Sequence, residues 1–198
     1  MATIFDKILE VSPYEAGQKS KNAMEWFHQK ASNRRVSPDS LLTGGDYRQN
    51  LTNRPLIGSM FLFKYDAKHK DTLPYWDMFP LIFPIEMDAK GFLGLNLHYL
   101  PPTLRASLFT GLVKLKSNNE YQDLKLSYSL LTKYSRMSYY KPCVKRYLFN
   151  HVRSPFLYIE PEEWPIAIFL PLQRFQKSGS GKVYADSRRA LGLDRKYK

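Results

Sequence analysis

Two apolar runs near the middle of the chain are separated by a short polar segment. Residues 81–87 and 92–97 are mostly large apolar side chains, whereas residues 88–91 are Asp, Ala, Lys and Gly. Because the polar segment has the composition of a turn, with glycine where a positive φ is easiest, this pattern predicts a β-hairpin. Pro80 and Pro84 interrupt the first run, and proline cannot donate a ladder hydrogen bond. We therefore expect that strand to be short, bulged or at a sheet edge.

Apolar residues at helical spacing predict helices on both sides of this hairpin. Leucines recur within residues 104–115 after Pro102, a residue suited to a first helical turn, and would form one apolar stripe. Before the hairpin, the apolar positions within 23–31 predict a helix. The Ser-Pro-Asp sequence that opens residues 37–43 predicts a shorter helix, which Gly44 would end.

Two further apolar segments predict strands that complete the sheet. Residues 57–65 precede the hairpin, and residues 164–170 form an apolar run that contains Pro165 and is followed by Pro171. Such a run is typical of a buried strand. The predicted fold is therefore α+β, with a small, bent antiparallel sheet or open barrel made from residues 57–65, 80–98 and 164–170 and flanked by helices.

The composition of the chain changes near its carboxyl end. A chain of 198 residues is long enough for one domain with a substantial core and short for two. Residues 176–182 have the Gly and Ser content of a flexible linker, and a basic tail follows over residues 183–198. We expect residues 1–175 to form a single α+β domain. Residues 176–198 would be a linker and tail that stays mobile, binds nucleic acid or becomes ordered against a neighbouring subunit.

The net charge of +12 is concentrated in two regions of the chain. Residues 116–158 and 171–198 each carry eight Lys or Arg and two Asp or Glu. Concentrated positive charge attracts polyanions, either a phosphate backbone or an acidic protein surface, although a basic surface also serves solubility. Hydrophobic residues make up 43% of the chain and aromatic residues 15%, which indicates a folded domain rather than a disordered basic chain.

Tyrosines and cations alternate in the first of these basic regions. Their spacing predicts an amphipathic helix over residues 121–136 and a second, shorter helix around residues 144–148. Tyrosines can stack on bases while Lys and Arg follow the phosphates of single-stranded nucleic acid, or the tyrosines can belong to the core. The predicted DNA-binding residues are Lys125, Lys133, Arg136, Lys141, Lys145, Arg146, Arg188 and Arg189. Each could equally contact an acidic partner subunit.

The candidate catalytic residues lie in one carboxylate-rich segment. Asp77, Glu86, Asp88 and Lys90 are residue types that hold a divalent metal and activate water in a nuclease, but Asp88 also suits a hairpin turn. Residues 179–182 lack the upstream glycine and the Ser or Thr of a phosphate loop. The four histidines are far apart in the sequence and form no pair at metal spacing. We therefore predict no catalytic residue, no metal and no cofactor, with a metal-dependent nuclease as the less favoured alternative.

The sequence also carries information about the compartment. Cys143 is the single cysteine, which excludes an internal disulfide and favours a reducing cytoplasm. No stretch approaches the ~20 apolar residues of a membrane span. The first residues lack the pattern of a signal peptide. We expect a protein without membrane association.

Residues 64–102 combine aromatic and proline residues in the sequence KYDAKHKDTLPYWDMFPLIFPIEMDAKGFLGLNLHYLPP. This block resembles a segment of small virion-associated proteins of T4-like tailed bacteriophages, most of all the DNA end protector class. The resemblance implies a non-enzymatic virion protein that contacts packaged DNA and protects the genome end or completes the head and neck. Its partners would be DNA and other phage structural proteins, and it would assemble in the host cytoplasm. The alternative implied by the same block is a purely architectural component of the tail or baseplate.

Overall fold

The computed structural model describes residues 2–18, 20–113 and 138–193. The described α-helices are α1 (Ile4–Leu9), α2 (Lys21–Ser32), α3 (Pro38–Thr43), α4 (Pro102–Val113), α5 (Trp164–Ala167) and α6 (Ser180–Ala190). None of these helices combines the length and the apolar character that crossing a bilayer requires. The described strands are β1 (Leu51–Thr52), β2 (Met60–Leu62), β3 (Trp76–Asp77), β4 (Leu81–Met87), β5 (Gly91–Asn96), β6 (Val144–Leu148), β7 (Phe156–Ile159) and β8 (Phe175–Gln176). Short 3-10 helices occupy Gly45–Asn50, Leu97–Tyr99, Ser138–Cys143 and Phe149–His151.

Within the described residues, the main sheet has six strands in the order β1-β7-β2-β4-β5-β6, and all neighbouring strands are antiparallel. β3 and β8 pair in a separate antiparallel ribbon. The main sheet is open, because β1 and β6 at its two ends are not paired with each other. Buried side chains of α1, α2 and α3 share one hydrophobic cluster with the sheet. The predicted α+β class with an open antiparallel sheet is therefore confirmed.

The predicted hairpin is present as β4 and β5. Asp88 forms its turn, because Oδ1 accepts hydrogen bonds from the backbone N–H groups of Lys90 and Gly91 at 2.8 and 2.9 Å. The pairing register of the two strands shifts between Pro84 and Glu86. This bulge lets a proline occur in β4, which lies inside the sheet between β2 and β5.

Gly91 is needed for a close approach of two strands rather than for a turn conformation. Its φ is not positive, contrary to the prediction for this turn. A Cβ atom at this position would lie 2.0 Å from the carbonyl oxygen of Tyr147 in β6. Any side chain here would therefore force β5 and β6 apart.

The apolar run at residues 164–170 does not form the predicted strand. It begins with α5, where Pro165 lies in the first turn and the residues that follow are buried. An interior strand needs the N–H that proline lacks, whereas the first turn of a helix leaves that N–H unused. β7 takes the place predicted for this segment and pairs with both β1 and β2.

Residues 144–148 form the edge strand β6 and not the predicted short helix. The strand pairs with β5 along its whole length, and Val144 and Tyr147 are residue types that favour extended backbone. Side chains two positions apart along a strand share a face of the sheet. Lys145 and Tyr147 therefore point to the same side.

The described part of the carboxyl-terminal segment contains a strand end and a helix. β8 ends at Gln176, the first residue of the predicted linker, and α6 begins at Ser180. Val183 and Ser187 of α6 are buried, and the Ser187 hydroxyl donates a hydrogen bond to the carbonyl oxygen of Tyr99 at 2.8 Å. The helix was not predicted, because the Gly and Ser content conceals a buried stripe at i, i+4 spacing. The division into a domain and a flexible tail stays a prediction.

The main sheet separates two hydrophobic clusters. On β2, Met60 and Leu62 belong to the larger cluster with the helices, whereas Phe61 belongs to a smaller cluster rich in aromatic rings. The two-residue period of a strand produces this division. Burial of each large apolar side chain contributes about 1.5–3 kcal/mol. The aromatic cluster also contains Tyr65 and Tyr147, which extend it to the candidate site.

Candidate nucleic-acid interface

A cleft of about 360 Å³ opens where β6, β3 and the segment from residue 65 to residue 73 meet. We call it the aromatic cleft, because Tyr and Trp side chains dominate its lining. It is lined by Tyr65, Ala67, Lys68, His69, Leu73, Tyr75, Trp76, Asp77, Tyr99, Lys145, Arg146, Tyr147 and Leu148. Aromatic rings offer flat surfaces for bases, and cations attract phosphates, so the cleft presents both kinds of contact that a nucleotide makes.

Buried tyrosines form the floor of the aromatic cleft. The rings of Tyr65 and Tyr147 meet edge to face with centroids 4.9 Å apart, and Tyr99 is buried beside them. The Tyr147 hydroxyl accepts a hydrogen bond from Asn96 Nδ2 at 2.9 Å, and the Tyr65 hydroxyl accepts one from the backbone N–H of Leu148 at 3.3 Å. Burial raises the pKa of Tyr99 and of Tyr147. Both hydroxyls are therefore neutral, and neither opposes the approach of an anion.

Trp76 and Tyr75 form a half-exposed wall of the cleft. Trp76 belongs to the β3–β8 ribbon, so backbone pairing holds its indole in place. Lys177 follows β8 with its Nζ 6.0 Å from the centroid of the Trp76 ring. The same Nζ donates hydrogen bonds to the carbonyl oxygens of Asp71 and Leu73. The φ of Lys177 is 63°, a left-handed conformation that costs a non-glycine residue about 1–2 kcal/mol and that these contacts maintain.

Lys145 brings a positive charge into the cleft. Its Nζ lies 4.2 Å from the centroid of the Tyr99 ring, in cation–π contact. The side chain is half-buried, and burial lowers the pKa of Lys145. Among the described residues, no carboxylate lies within ion-pair distance of this Nζ. The adjacent Arg146 differs, because it is exposed and pairs with Asp88.

Asp77 holds β3 in place beneath the cleft. Its Oδ1 accepts hydrogen bonds from the backbone N–H groups of Phe79 and Arg174, both at 3.1 Å. Its Oδ2 accepts from His98 Nδ1 at 2.7 Å and from Asn96 Nδ2 at 3.3 Å. Burial acts to raise the pKa of Asp77, but the interaction with His98 and the backbone hydrogen bonds outweigh it and lower that pKa. Burial lowers the pKa of His98, so the pair is a carboxylate and a neutral imidazole at neutral pH.

Arg105 is buried behind the cleft and connects it to α6. Its guanidinium donates hydrogen bonds to the two carbonyl oxygens that flank Tyr99 along the chain, at 2.8 and 3.2 Å. It also donates to the carbonyl oxygen of Ile168 at 3.1 Å and to the hydroxyl of Tyr184 in α6 at 2.6 Å. These bonds fix Tyr99 in the floor of the cleft.

The carboxylates that were weighed as a nuclease site do not converge on one surface. Asp77 is buried, whereas Glu86 and Asp88 are exposed. Asp88 accepts hydrogen bonds from Arg146 and from the turn backbone, and these lower its pKa. Among the residues that the structure describes, no group of three or more His, Cys, Asp or Glu could hold a metal ion.

The structure separates the predicted DNA-binding residues into three groups. Lys145 and Arg146 line the aromatic cleft. The exposed residues outside its lining are Lys141, Arg188 and Arg189. The residues that lie outside the described part of the chain are Lys125, Lys133 and Arg136. DNA contact by each of the eight residues stays a prediction.

Sequence reasoning missed the aromatic members of the cleft. Tyr75 and Trp76 stand directly before Asp77, and a carboxylate within a largely apolar block is a local signal of a buried polar anchor. Tyr99 gave no such signal. It reaches the cleft because a 3-10 turn follows β5 and Arg105 holds that turn from the adjacent helix.

A second, larger cleft of about 750 Å³ also carries positive charge. It is lined by Arg34, Arg35, Val36, Ser37, Pro38, Asp39, Met78, Phe79, Pro171, Arg174 and Gln176, and we call it the arginine cleft. The Arg174 guanidinium donates hydrogen bonds to the carbonyl oxygens of Val36, Pro171 and Gln173. Asp39 pairs with Lys64 at 2.8 Å. This cleft therefore contains a carboxylate and an arginine that is already engaged by the protein.

An aromatic cleft with cations in its lining offers base stacking and phosphate attraction, the two contacts that proteins use to bind single-stranded nucleic acid. Residues 11–189 match the model of a protein family described as the phage T4 terminal DNA protecting protein. Because this match covers most of the chain, the protein belongs to that family, and the predicted DNA end protector class is confirmed. Comparison with curated proteins found no match, and neither did comparison with solved structures.

Proposed function

We propose that this protein protects the ends of a linear phage genome by covering them, as a non-enzymatic component of the virion. The observation that carries this proposal is membership of the terminal DNA protecting family over residues 11–189. The aromatic cleft supports it, because a DNA end differs from the rest of a duplex in its exposed terminal base and its terminal phosphate. The cleft offers aromatic surface for the first and positive charge for the second.

The net charge of the chain and the aromatic cleft contribute to DNA binding in different ways. The net charge of +12 favours binding anywhere along DNA, because phosphate contacts release counterions regardless of position or sequence. The aromatic cleft recognises the end itself. Exposed Lys141, Arg188 and Arg189 would contact phosphates of the adjoining duplex. Protection then follows, because an occupied terminus cannot enter the active site of an exonuclease.

An exonuclease protection assay tests this function directly. Linear duplex DNA with open ends is incubated with increasing protein and then treated with an exonuclease that requires a free terminus. We expect full-length DNA to persist once each end is occupied, whereas an endonuclease applied to the same complex still cuts the interior. Unchanged digestion by the exonuclease at saturating protein would overturn the proposal, and equal protection from both nucleases would show general coating.

The non-enzymatic part of the proposal rests on how the carboxylates are used. Asp77 is surrounded by hydrogen-bond donors in the interior, and Asp88 forms the hairpin turn. We expect supercoiled and linear DNA to remain intact with the protein and Mg²⁺ or Mn²⁺. Cleavage that disappears in an Asp88→Ala variant would instead establish a metal-dependent nuclease.

A contact with other virion proteins is favoured by one exposed apolar site. Leu56 is 63% exposed and the adjacent Ile57 is 36% exposed, and a protein neighbour would remove both side chains from water. The same site would serve an architectural component of the neck, tail or baseplate. The two roles separate when virions are disrupted and fractionated: an end protector is released with the DNA after shearing near the termini, whereas an architectural component stays with tail or baseplate particles lacking DNA.

A further inference from the structure

We propose that the aromatic cleft binds a single unpaired terminal nucleotide, with its terminal phosphate at Lys145 and its base against Trp76. This proposal rests on the proposed function, which requires binding at DNA ends, and it specifies what part of the end is recognised. It also predicts that a frayed or overhanging end is the preferred ligand, because a paired base cannot enter the cleft.

The size of the cleft favours a nucleotide over a duplex. Its volume of about 360 Å³ falls at the lower end of the roughly 300–1,000 Å³ that small-molecule sites occupy. A stacked base pair is held between its neighbours and cannot reach a tyrosine floor that is itself buried. A terminal nucleotide that has left its stack can enter the cleft, as bases do in proteins that bind flipped or single-stranded nucleotides.

Lys145 identifies the anionic part of the ligand. Its ammonium group is half-buried and contacts the face of Tyr99, and no described carboxylate pairs with it. A half-buried cation is stabilised by a partner anion, which a ligand would supply. Arg146 and Lys68, which line the cleft and are exposed, would contact the next phosphates along the strand. Phosphate is therefore the anion that this arrangement fits.

Trp76 identifies the apolar part of the ligand. Its indole is half-exposed in the cleft, although the surrounding main chain is held rigidly by the β3–β8 pairing and by Asp77. Lys177 lies against this ring in a strained left-handed conformation, and backbone strain of this kind concentrates at ligand sites. An indole fixed in position and open to solvent is suited to stacking on a base of any sequence.

The first experiment measures binding to a set of short duplexes. One is closed by hairpins at both ends, one has blunt open ends, and others have a single unpaired terminal nucleotide with a 5′-phosphate, a 3′-phosphate or no phosphate. We expect open ends to bind more tightly than closed ends. Among the open ends, we expect an unpaired terminal nucleotide bearing a phosphate to bind about tenfold more tightly than the same end without it. Placing 2-aminopurine at the unpaired position should give a fluorescence decrease on binding that is absent with the label inside the duplex.

Variants assign these preferences to residues. Lys145→Met should abolish the preference for a terminal phosphate, and Trp76→Leu should abolish the 2-aminopurine response while keeping the phosphate preference. Lys30→Met is the matched control, because the Lys30 ammonium also lies over an aromatic ring, at 5.6 Å from the centroid of Trp26, but outside the cleft. We expect this control to keep the preference for a terminal phosphate and the 2-aminopurine response of the natural chain.

The outcomes separate the two proposals. If the natural chain binds open and closed ends equally, the proposed function fails. If it prefers open ends but ignores the terminal phosphate and the unpaired base, the proposed function stands and the terminal-nucleotide site is wrong. If Lys145→Met does not fold, as circular dichroism would show, the phosphate preference and the 2-aminopurine response of the natural chain still decide the question.

Discussion

The aromatic cleft and the arginine cleft both carry positive charge, but they differ in what surrounds that charge. In the arginine cleft, Arg174 is engaged by three backbone carbonyl oxygens, and Asp39 contributes a carboxylate. The aromatic cleft also has a carboxylate in its lining, Asp77, but His98, Asn96 and backbone N–H groups engage it. Its Lys145 lies on a tyrosine ring without a described carboxylate partner. The smaller cleft is therefore the better candidate for an anionic ligand, although the larger one contains more arginines.

This difference shows why net charge is a poor guide to a binding site. Positive charge spread over a surface attracts DNA at any position along its length. Recognition of one feature of DNA requires a cation that is not engaged by a described carboxylate and a surface whose shape fits that feature. In this protein those two conditions coincide at Lys145 and Trp76.

The largest predicted effect is on stability, and it contrasts the buried Arg105 behind the aromatic cleft with the exposed Arg174 in the arginine cleft. Arg105→Met leaves the carbonyl oxygens beneath Tyr99 unpaired and removes a buried cation near Asp77. We expect it to lower the free energy of unfolding by about 3–5 kcal/mol. The exposed Arg174→Met, which removes hydrogen bonds in the arginine cleft, should cost about 1 kcal/mol or less. Urea unfolding measures both, and equal decreases would contradict the importance given to Arg105.

The next effect concerns the strand that carries Lys145. Gly91→Ala places a methyl group against the carbonyl oxygen of Tyr147, which should lower the free energy of unfolding by about 1–3 kcal/mol. It should also weaken DNA-end binding, because β6 must move. Gly181→Ala is the control: no atom lies within 4 Å of the added Cβ, and the change should stabilise α6 by up to about 1 kcal/mol. Amide hydrogen exchange that stays slow along β6 in Gly91→Ala would contradict the expected displacement.

Part of the fold could be read from sequence because its determinants are local. The hairpin over residues 81–97 carries its own turn at Asp88, and the helix over residues 21–32 carries its own apolar stripe. The elements that were predicted wrongly, residues 144–148 and 164–170, are short. Periodicity cannot distinguish a buried strand from a buried helical turn over so few residues.

The candidate site was less predictable than the fold. The charge pattern identified Lys145, but it was assigned to a predicted helix. Its side chain would point in a different direction there than it does in β6. Asp77 was weighed for catalysis, whereas its role is to anchor β3. The cleft forms only when Tyr65, Trp76, Tyr99 and Lys145 come together across long sequence separations, and no pattern within one segment specifies such an arrangement.

Lowering the pH should reduce the stability of the fold between the two clefts, because the Asp77 carboxylate links β3 to the backbone N–H of Arg174. The pKa of Asp77 is lowered in the fold, so its contribution is present above its unfolded pKa and is lost as the pH falls below about 4. The pKa of His98 is also lowered, so only the unfolded chain gains its proton as the pH falls through about 6.5. Both effects reduce stability in acid.

Glu163 has the opposite effect on the pH dependence of stability, and a substitution can remove its carboxyl group. Burial raises its pKa to about 7, so it favours the folded state at low pH and loses that contribution as the pH rises through about 7. We expect the melting temperature of Glu163→Gln to fall more steeply between pH 7 and pH 5 than that of the natural chain. A shallower fall would contradict the raised pKa of Glu163 in the folded chain.

The smallest effect should follow from removing charge at the arginine cleft. Arg34→Gln with Arg35→Gln should weaken binding to open and closed DNA by the same factor. The slope of log affinity against log salt should decrease by about one for each phosphate that the two arginines neutralise in the natural chain. A titration over several salt concentrations measures this slope. Loss of the preference for open ends in this double variant would show that the arginine cleft recognises the end.

Photocrosslinking of a terminal nucleotide tests the central claim most directly. A duplex with an unpaired, 5′-phosphorylated 5-iodo-2′-deoxyuridine at its end is bound and irradiated, and the crosslinked peptide is identified by mass spectrometry. We predict crosslinks to Trp76, Tyr75 or Tyr99, and none of these from the same base placed inside the duplex. Crosslinks confined to the peptide that carries Arg34 and Arg35, or the same crosslinks from terminal and internal labels, would contradict the aromatic cleft as the DNA-end site.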